Sequence, residues 1–215
     1  FKRTLTPAEI FAQVLYFPDI TNVVFMGMGE PFDATDSLLT TLELMNAPDY
    51  LDFGARRITI STAGLPDGIL ALAEKGKQFG ISWSLHATDE NVRKTLMPGA
   101  ARYSIEEVVE ALLVYRKKTN ADITIEYILI PNVNMKPLHA SGLMRIARRL
   151  RAKINCIPYN SHPNAPFRSP THAEIQKFTA LLDEGGVTYF IRDSKGADIQ
   201  AGCGQLAGRR KERDT

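Results

Sequence analysis

The residues with the clearest chemical potential follow an apolar run at residues 22–26 (NVVFM), which breaks directly into residues 27–31 (GMGEP). We expect a buried strand that ends in two glycines and a carboxylate, so that bare backbone and an anionic acceptor meet at one point. Glycine permits close approach of a ligand, and Pro31 stiffens the exit while removing a donor. Such an edge suits the ammonium and carboxylate of an amino-acid-like ligand. An ordinary strand-to-helix turn that starts with an acid fits the same residues.

Two cysteines occur, Cys156 and Cys203, which are too few for a disulfide scaffold and are typical of a cytoplasmic protein. Cys203 lies in residues 196–204 (GADIQAGCG), where three glycines surround one thiol. An exposed thiol becomes a nucleophile when its pKa is lowered, whereas a lone cysteine is ordinarily a small buried hydrophobe. Cys156 lies in an apolar, strand-like segment, and we expect it in the core.

Strand-like and helix-like segments alternate along the chain. Thr6, Ser104 and Thr171 each stand three residues before a glutamate, which predicts capping boxes at three helix starts. The alternation implies parallel βαβ units and an α/β fold, with ligand-binding residues at the carboxyl ends of the strands. The predicted strands are residues 22–28, 57–62, 81–86, 122–130, 153–158 and 187–192, and the predicted helices carry residues 10–15, 38–45, 66–72, 105–113, 138–150 and 175–182.

Polar side chains gather at four strand ends of this sheet, namely Glu30, Ser61 with Thr62, Ser84 with His86, and Asn160. A single strand that ends in Ser or His means little, but four in succession indicate one site. Other roles fit the same residues. Ser61 and Ser84 are able to cap the helices that follow, and Asn160 suits a turn. His86 suits a satisfied core position, where we expect its backbone to matter more than its ring.

Length and composition allow one large domain or two small ones, because 215 residues with 44% hydrophobic content are enough for a core. The chain has neither an apolar run of membrane-spanning length nor a signal-peptide pattern. It begins with Phe1 rather than Met, so we expect a processed or truncated product.

Charge is distributed unevenly along the chain. Residues 1–138 hold 13 basic and 17 acidic side chains, whereas residues 139–215 hold 13 basic and 7 acidic ones. This asymmetry indicates a polyanionic partner, or else a solvated helix face and a frayed terminus. The basic residues concerned are Arg145, Arg148, Arg149, Arg151 and Lys153, followed in the tail by Arg209, Arg210, Lys211 and Arg213.

Five short blocks give the most specific signal: residues 27–31 (GMGEP), 61–64 (STAG), 84–87 (SLHA), 157–160 (IPYN) and 201–206 (AGCGQL). In their order and spacing the chain resembles the radical S-adenosylmethionine (SAM) RNA adenine methyltransferases, the RlmN/Cfr family, over nearly its whole length. The resemblance implies an α/β fold, an incomplete (β/α) barrel with parallel strands. Residues 1–215 would form one partial radical SAM core domain, with residues 193–215 as its Cys-bearing loop and basic tail. The positions matched to SAM binding are Gly29, Glu30, Ser61, Ser84, Leu85, His86 and Asn160.

The resemblance also implies a reaction. Cys203 would take a methyl group from one SAM, and a 5′-deoxyadenosyl radical from a second SAM would remove hydrogen from that methyl. The carbon radical would then add to an adenine ring carbon, which is electrophilic and therefore unable to displace the methyl of SAM directly. A second cysteine would release the product by forming a disulfide with Cys203.

The partners implied are RNA and a reducing electron donor. The substrate would be an adenine of 23S ribosomal RNA, with transfer RNA as a second substrate, and we expect carbon 2 rather than carbon 8 as the target. The candidates for RNA contact are Arg145, Arg148, Arg149, Arg209 and Arg210. We expect a cytoplasmic monomer without membrane contact.

The family's Cys-x-x-x-Cys-x-x-Cys motif, which ligates a [4Fe–4S] cluster, does not occur in this chain. We expect it upstream of Phe1, together with the first barrel strand, the cluster loop, an RNA-contacting domain and the resolving cysteine, so the chain alone should be inactive. Gly202 is a second departure, because the family typically has alanine there.

Two other functions remain open. One is a cluster-less relative that binds RNA or regulates through its basic C-terminal face. The other is an ordinary barrel enzyme that uses Glu30, His86 and Cys203 for hydrolysis or acid–base chemistry. A zinc site is not expected, since the histidines and cysteines are scattered without ligand spacing.

Overall fold

The structure, a computed structural model, describes residues 3–17, 19–27, 29–161 and 166–192. Its centre is a parallel sheet whose six strands lie side by side in chain order. The strands are β1 (Val23–Phe25), β2 (Ile58–Thr62), β3 (Gly80–Ser84), β4 (Ile123–Leu129), β5 (Lys153–Pro158) and β6 (Tyr189–Ile191). The α-helices in these ranges are α1 (Pro7–Leu15), α2 (Thr35–Asn46), α3 (Pro66–Glu74), α4 (Glu90–Leu96), α5 (Ile105–Thr119), α6 (Pro137–Leu150) and α7 (His172–Glu184). The predicted α/β fold with parallel strands is confirmed.

The strand order explains why the helices cover one face of the sheet. Right-handed crossovers that always step to the next strand place every connecting helix on the same side, as in a (β/α) barrel. A doubly wound sheet instead reverses its order and gains helices on both sides. The packing agrees: a Cβ added to Gly64 would lie 2.7 Å from Val108 of α5 and 2.8 Å from Trp83 of β3. The ring of Tyr127 in β4 stacks on Phe178 of α7 with centroids 5.9 Å apart.

The two faces of the sheet therefore differ in chemistry. Alternate strand residues lie on opposite faces, and those on the helix side are apolar and buried. They are Ile58, Ile60, Ile81, Trp83, Ile123, Ile125, Tyr127, Ile154 and Cys156. The residues between them, which the strand register places side by side, are largely polar: Thr59, Ser61, Ser82, Ser84, Thr124, Glu126 and Asn155. We call this second surface the polar face.

Cys156 lies on the helix side of β5 and is completely buried, as predicted. Burial raises the pKa of its thiol to about 12, so the thiol keeps its proton at neutral pH. Since the thiolate is the form that attacks carbon and binds metals, Cys156 has a packing role.

The three predicted capping boxes are present at the starts of α1, α5 and α7. The hydroxyls of Thr6, Ser104 and Thr171 each accept a hydrogen bond from the backbone N–H three residues later. The glutamate at that position accepts one from the capping residue in return. These helix starts are set by sequence-local contacts, which explains why they could be predicted.

Helix α4 was not predicted. Asp89 caps it by accepting hydrogen bonds from the N–H groups of Asn91 and Val92, both at 3.0 Å. Its one buried residue is Arg93, so this seven-residue helix carries no apolar stripe. Hydrophobic periodicity therefore gave no signal there.

The prediction of a buried strand at the start of the sheet is wrong. β1 has three residues, and Val24 is 51% exposed while Met26, just beyond the strand, is 45% exposed. Within the described residues β1 pairs only with β2, so it is an edge strand. A groove of about 780 Å³ runs between its outer edge and α1. The last strand is likewise shorter than predicted, at Tyr189–Ile191.

Among the described segments, none of the helices combines the length and the apolar character needed to cross a bilayer.

Candidate functional site

Glu30 joins the end of β1 to the end of β2. Its Oε1 accepts hydrogen bonds from the hydroxyl of Thr62 at 2.8 Å and from the N–H of Phe32 at 3.2 Å, and its Oε2 accepts one from the N–H of Ala63 at 2.7 Å. Burial is the main reason that the pKa of this carboxyl is raised above its usual range. A carboxylate has about four acceptor positions, so protein donors occupy most of them. Glu30 is thus first a connector of two strand ends, and ammonium binding by its side chain stays a prediction.

The glycines before Glu30 leave backbone accessible. A Cβ added to Gly27 or to Gly29 would find open space, and Gly29 has φ +100°, a left-handed conformation that favours glycine. Both glycines and Glu30 line the groove along β1. The groove does not reach Ser61 or Ser84, which lie on the polar face, nor Asn160, which follows β5. The motif therefore borders the groove and lies at the same sheet edge as the carboxyl ends of the other strands.

The turn after β2 requires glycine at position 64. Gly64 has φ +99°, and any side chain there would collide with Val108 and Trp83. Its N–H donates a hydrogen bond to the hydroxyl of Thr62 at 2.9 Å. Ser61, the matched SAM position, is half-buried on the polar face.

The alternative that Ser61 and Ser84 cap the following helices is wrong. The N-terminal cap of α3 is Leu65, without a side-chain hydrogen bond, and that of α4 is Asp89. The two serines are therefore not needed for helix initiation. Both lie at or next to the carboxyl end of a strand and are half-buried on the polar face.

His86 is held by its backbone and by its ring. Its φ of +57° is left-handed, its N–H donates to the carbonyl of Glu126 at 3.2 Å, and its Nδ1 accepts from the N–H of Ile128 at 3.2 Å. Burial, with a contribution from the charge of Arg93, lowers the pKa of the ring to about 4. His86 is thus neutral at physiological pH with Nδ1 already used. This disfavours the acid–base alternative, because a general base works best with a pKa near the operating pH.

Leu85 presents little to a ligand. Its side chain is 0% exposed, its N–H donates to the carbonyls of Trp83 and Glu126, and its own carbonyl accepts from the N–H of Ala87. The matched Ser84-Leu85-His86 step therefore offers the Ser84 hydroxyl and the backbone around His86. SAM contact by Leu85 stays a prediction that its surroundings do not favour.

Asn134 was missed by sequence reasoning, although it determines where His86 lies. This fully buried amide donates from Nδ2 to the carbonyl of His86 at 2.8 Å and to that of Ile128, while its Oδ1 accepts from the N–H of Ile130 at 2.8 Å. The hydroxyl of Tyr127 donates to the Asn134 carbonyl at 2.8 Å. Asn134 thereby clamps the end of β3 to the end of β4. An asparagine in the turn after a strand was the available signal.

Arg93, also missed, fastens α4 to the site. It is 0% exposed and donates to the carbonyls of Ala63 and Tyr103, and its guanidinium lies 5.9 Å from the centroid of the Trp83 ring. The Trp83 indole donates to the same Ala63 carbonyl at 3.2 Å. Within the described part of the chain, the Nε of Arg93 has no hydrogen-bond partner. The Ala63–Gly64 turn is thus held from both sides, by Glu30 and by Arg93.

A third missed group is a hydrogen-bonded row on the polar face. The carboxylate of Glu126 accepts from the hydroxyl of Ser82 at 2.5 Å and from the amide of Asn155 at 2.9 Å, so that one acid links three adjacent strands. Thr124 and Glu126 alternate with apolar residues in β4, and this period-two pattern was the available signal.

Asn160 follows β5 by two residues and is half-buried. The preceding N–H, of Tyr159, donates to the carbonyl of Leu129 at 3.2 Å, and the Tyr159 ring meets Phe167 edge-on with centroids 6.0 Å apart. Gly29, Ser61, Ser84 and Asn160 therefore all lie at or just beyond the carboxyl ends of their strands. That shared edge was the predicted placement.

Two of the basic candidates, Arg148 and Arg149, are engaged within the protein. Arg149 forms a bidentate ion pair with Glu106 and a further one with Glu110, and Arg148 donates to the carbonyl of Gly185. Both lie in the last turn of α6, which leads directly into the start of β5. They are thus at the sheet edge opposite to the strand ends described above. RNA contact by Arg145, Arg148 and Arg149 stays a prediction, while Cys203, Arg209 and Arg210 lie outside the described residues.

Comparison with known proteins agrees with this architecture. Residues 1–141 match the model of the radical SAM superfamily. The dual-specificity RNA methyltransferase RlmN of Lawsonia intracellularis is 41% identical over 217 residues, which cover 96% of this chain and 60% of that protein. The probable dual-specificity RNA methyltransferase RlmN 2 of Protochlamydia amoebophila is 35% identical over 100% of this chain and 62% of its own length. The chain thus spans about three fifths of these curated relatives.

Solved structures are similar as well. A radical SAM methyltransferase from Sphaerobacter thermophilus superimposes with a TM-score of 0.87 at 38% identity, over 95% of this chain and 62% of that one. A domain of pyruvate-formate lyase-activating enzyme from Bacteroides vulgatus gives a TM-score of 0.59 at 17% identity, which indicates a shared fold alone. The resemblance predicted from the sequence blocks is confirmed.

Proposed function

The chain belongs to the radical SAM superfamily, and on that basis we propose that it is the core of an enzyme that methylates RNA with SAM. The target is carbon 2 of an adenine in 23S ribosomal RNA, with transfer RNA as a second substrate. The observation that carries the proposal is the alignment of Gly29, Ser61, Ser84 and Asn160 along one sheet edge. These are the positions matched to SAM binding, and the RlmN relatives are similar across nearly the whole chain.

The residues present fit SAM, which the superfamily implies as cofactor. The accessible backbone at Gly27 and Gly29 suits the amino-acid end of the ligand, and the half-buried hydroxyls of Ser61 and Ser84 suit its carboxylate or ribose. Asn160 offers both a donor and an acceptor to a purine edge. When bound, SAM supplies the methyl group and the radical chemistry of this superfamily. The residues of the chain orient it through these contacts.

The [4Fe–4S] cluster that the superfamily also implies does not fit this chain. Its motif needs three cysteines, and the sequence has two, of which Cys156 is buried with a protonated thiol. The described residues contain no group of three His, Cys, Asp or Glu side chains able to hold a metal.

Cys203 is the proposed methyl carrier. Its thiolate would attack the methyl carbon of SAM, so that a carbon–sulfur bond forms while the sulfonium–methyl bond breaks and S-adenosylhomocysteine leaves. The matched position and the surrounding glycines support this role. The remaining parts of the proposal are a resolving cysteine that pairs with Cys203 in a disulfide, a reducing electron donor, and a monomer in the cytoplasm away from membranes.

The test is mass spectrometry of the complete protein purified anaerobically from cells. Trypsin should release residues 196–209, which contain Cys203. We expect this peptide to carry one additional methyl group, and the purified protein to transfer a methyl to adenine in 23S ribosomal RNA when SAM and a strong reductant are supplied. An unmodified Cys203 in an iron-containing protein would contradict the carrier role.

The alternative is a cluster-less relative that binds RNA, and the observation in its favour is the excess of basic over acidic side chains in residues 139–215. It predicts RNA binding that weakens steeply with salt, no bound iron and no methyl on Cys203. The same purified protein therefore decides between the two functions, because iron content and peptide mass are read from one sample.

A further inference from the structure

Glu126 is a buried carboxylate without an ionic partner. It is 5% exposed, and none of the salt bridges among the described residues includes it. Its two protein donors in the described ranges are neutral, the hydroxyl of Ser82 and the amide of Asn155. A carboxylate accepts about four hydrogen bonds, and a buried charge is costly unless such bonds compensate it. The carboxylate of Glu126 can therefore accept more hydrogen bonds than Ser82 and Asn155 donate to it.

The position of Glu126 points toward a ligand rather than toward the core. Ser82 and Asn155 are its neighbours on the polar face, where the half-buried side chains of Ser84 and Thr124 also lie. The helices pack on the opposite face, against Ile125 and other apolar residues. The polar face is therefore the side from which additional donors can come.

The register identifies which end of SAM lies nearby. Glu126 and Ser84 are direct Cα partners in adjacent strands, so their side chains stand about 5 Å apart. Gly27 and Gly29 follow β1, three strands away from β4, which is about 14 Å along the sheet. A ligand whose amino-acid end lies at the glycines and which passes Ser84 brings its nucleoside to Glu126.

A nucleoside has hydrogen-bond donors on its ribose and on its base, and a carboxylate is better suited to the donors of the ribose. The ribose carries two hydroxyls that donate, and a carboxylate that only accepts is their natural partner, as in dinucleotide-binding folds. An adenine edge presents a donor beside an acceptor, which suits the amide of Asn160. We propose that Glu126 accepts hydrogen bonds from the ribose hydroxyls of SAM and is a binding residue of this site. The inference rests on the proposed function, since it takes SAM as the ligand.

The experiment combines ligand and protein changes. Isothermal titration calorimetry is done on the complete, cluster-loaded protein with S-adenosylhomocysteine and with its 2′-deoxy and 3′-deoxy analogues. Each ligand is measured against the wild type, Glu126→Gln and a control, Thr124→Ser, which alters a neighbour on the same face. Glutamine has nearly the same shape as glutamate and removes the charge, and thermal melting of each variant reports folding.

We expect the effect of removing a ribose hydroxyl from the ligand to depend on whether residue 126 is glutamate or glutamine. Loss of the relevant hydroxyl should weaken wild-type binding about tenfold or more, as for a hydrogen bond to a charged group. Glu126→Gln should weaken binding of S-adenosylhomocysteine by a similar factor, yet the same hydroxyl should then make little difference. Thr124→Ser should behave as the wild type.

Two results would overturn the inference. If Glu126→Gln weakens the parent ligand and both deoxy analogues by equal factors, or weakens none, Glu126 serves only to link strands through Ser82 and Asn155. If the wild type binds none of the three ligands, the proposed function is wrong, and the proposed role of Glu126 in ribose binding is wrong as well. The wild-type titration thus separates the two failures.

Discussion

Removal of the Asn134 side chain tests whether the clamp between β3 and β4 is a main support of the site. In Asn134→Ala the buried N–H of Ile130 loses its acceptor, and the carbonyls of His86 and Ile128 each lose a donor. An unsatisfied buried N–H costs about 1–3 kcal/mol and each lost hydrogen bond about 0.5–1.5 kcal/mol. We expect the free energy of unfolding to fall by roughly 2–6 kcal/mol.

The assay is urea unfolding followed by circular dichroism, with thermal melting as a second measurement. For a domain of this size a loss of about 3 kcal/mol corresponds to a melting temperature lower by about 6–12 °C. The matched control is Asn132→Gly in the same turn. Asn132 is exposed and has φ +65°, which glycine adopts freely, so its unfolding free energy should change by less than about 0.5 kcal/mol.

A second variant tests the direction of the hydrogen bonds. Asn134→Asp keeps the acceptor for Ile130 but places an oxygen against the carbonyls of His86 and Ile128, where Nδ2 now donates. Asn134→Asp should therefore lower the free energy of unfolding at least as much as Asn134→Ala does. A loss below about 1 kcal/mol in Asn134→Ala, or an aspartate variant more stable than the alanine variant, would refute this account of the clamp.

Three further predictions follow from the site. Gly64→Ala should lower the unfolding free energy by more than about 1 kcal/mol, because its φ is left-handed and its Cβ would collide with Val108 and Trp83; an unchanged melting temperature would contradict the geometry. The pKa of His86 is lowered on folding, so its contribution to stability is complete above pH 6.5 and is lost as pH falls toward 4. This loss, at most about 3 kcal/mol, should disappear in His86→Asn, and pH-dependent unfolding of both proteins measures it. Cys203→Ala in the complete protein should abolish methyl transfer to RNA while SAM cleavage remains detectable by chromatography, and full turnover would exclude the carrier role.

Much of the fold could be predicted because its signals are local. The capping boxes at Thr6, Ser104 and Thr171 need only residues three apart, and the alternation of strands and helices indicates parallel units. Helix α4 could not be found in this way. Its buried residue is a charged one, Arg93, which satisfies backbone carbonyls far away in the sequence.

The candidate site was predicted in part for a similar reason. Strand ends revealed Glu30, Ser61, Ser84 and Asn160, since all strands of a parallel sheet end at one edge. Asn134 and Glu126 depend on partners 48 and 44 residues away, His86 and Ser82, which only the folded register brings near. The carboxylate of Glu30 was expected to face a ligand, yet its donors come mainly from the end of β2, an arrangement that depends on how β1 pairs.

The one-sided winding of the sheet has a consequence for how the protein tolerates change. Neighbouring residues of one strand lie in different environments. Trp83 is completely buried against the helices, whereas Ser84 beside it lies on the polar face. Substitutions at half-buried positions of the polar face, such as Ser84, can therefore alter ligand preference at small cost to folding, whereas substitutions at buried positions such as Trp83 should mainly lower stability. Insertion of a single residue within a strand would exchange the two faces beyond it. The strands should thus accept substitution but not length variation, which the loops at the opposite sheet edge are free to absorb.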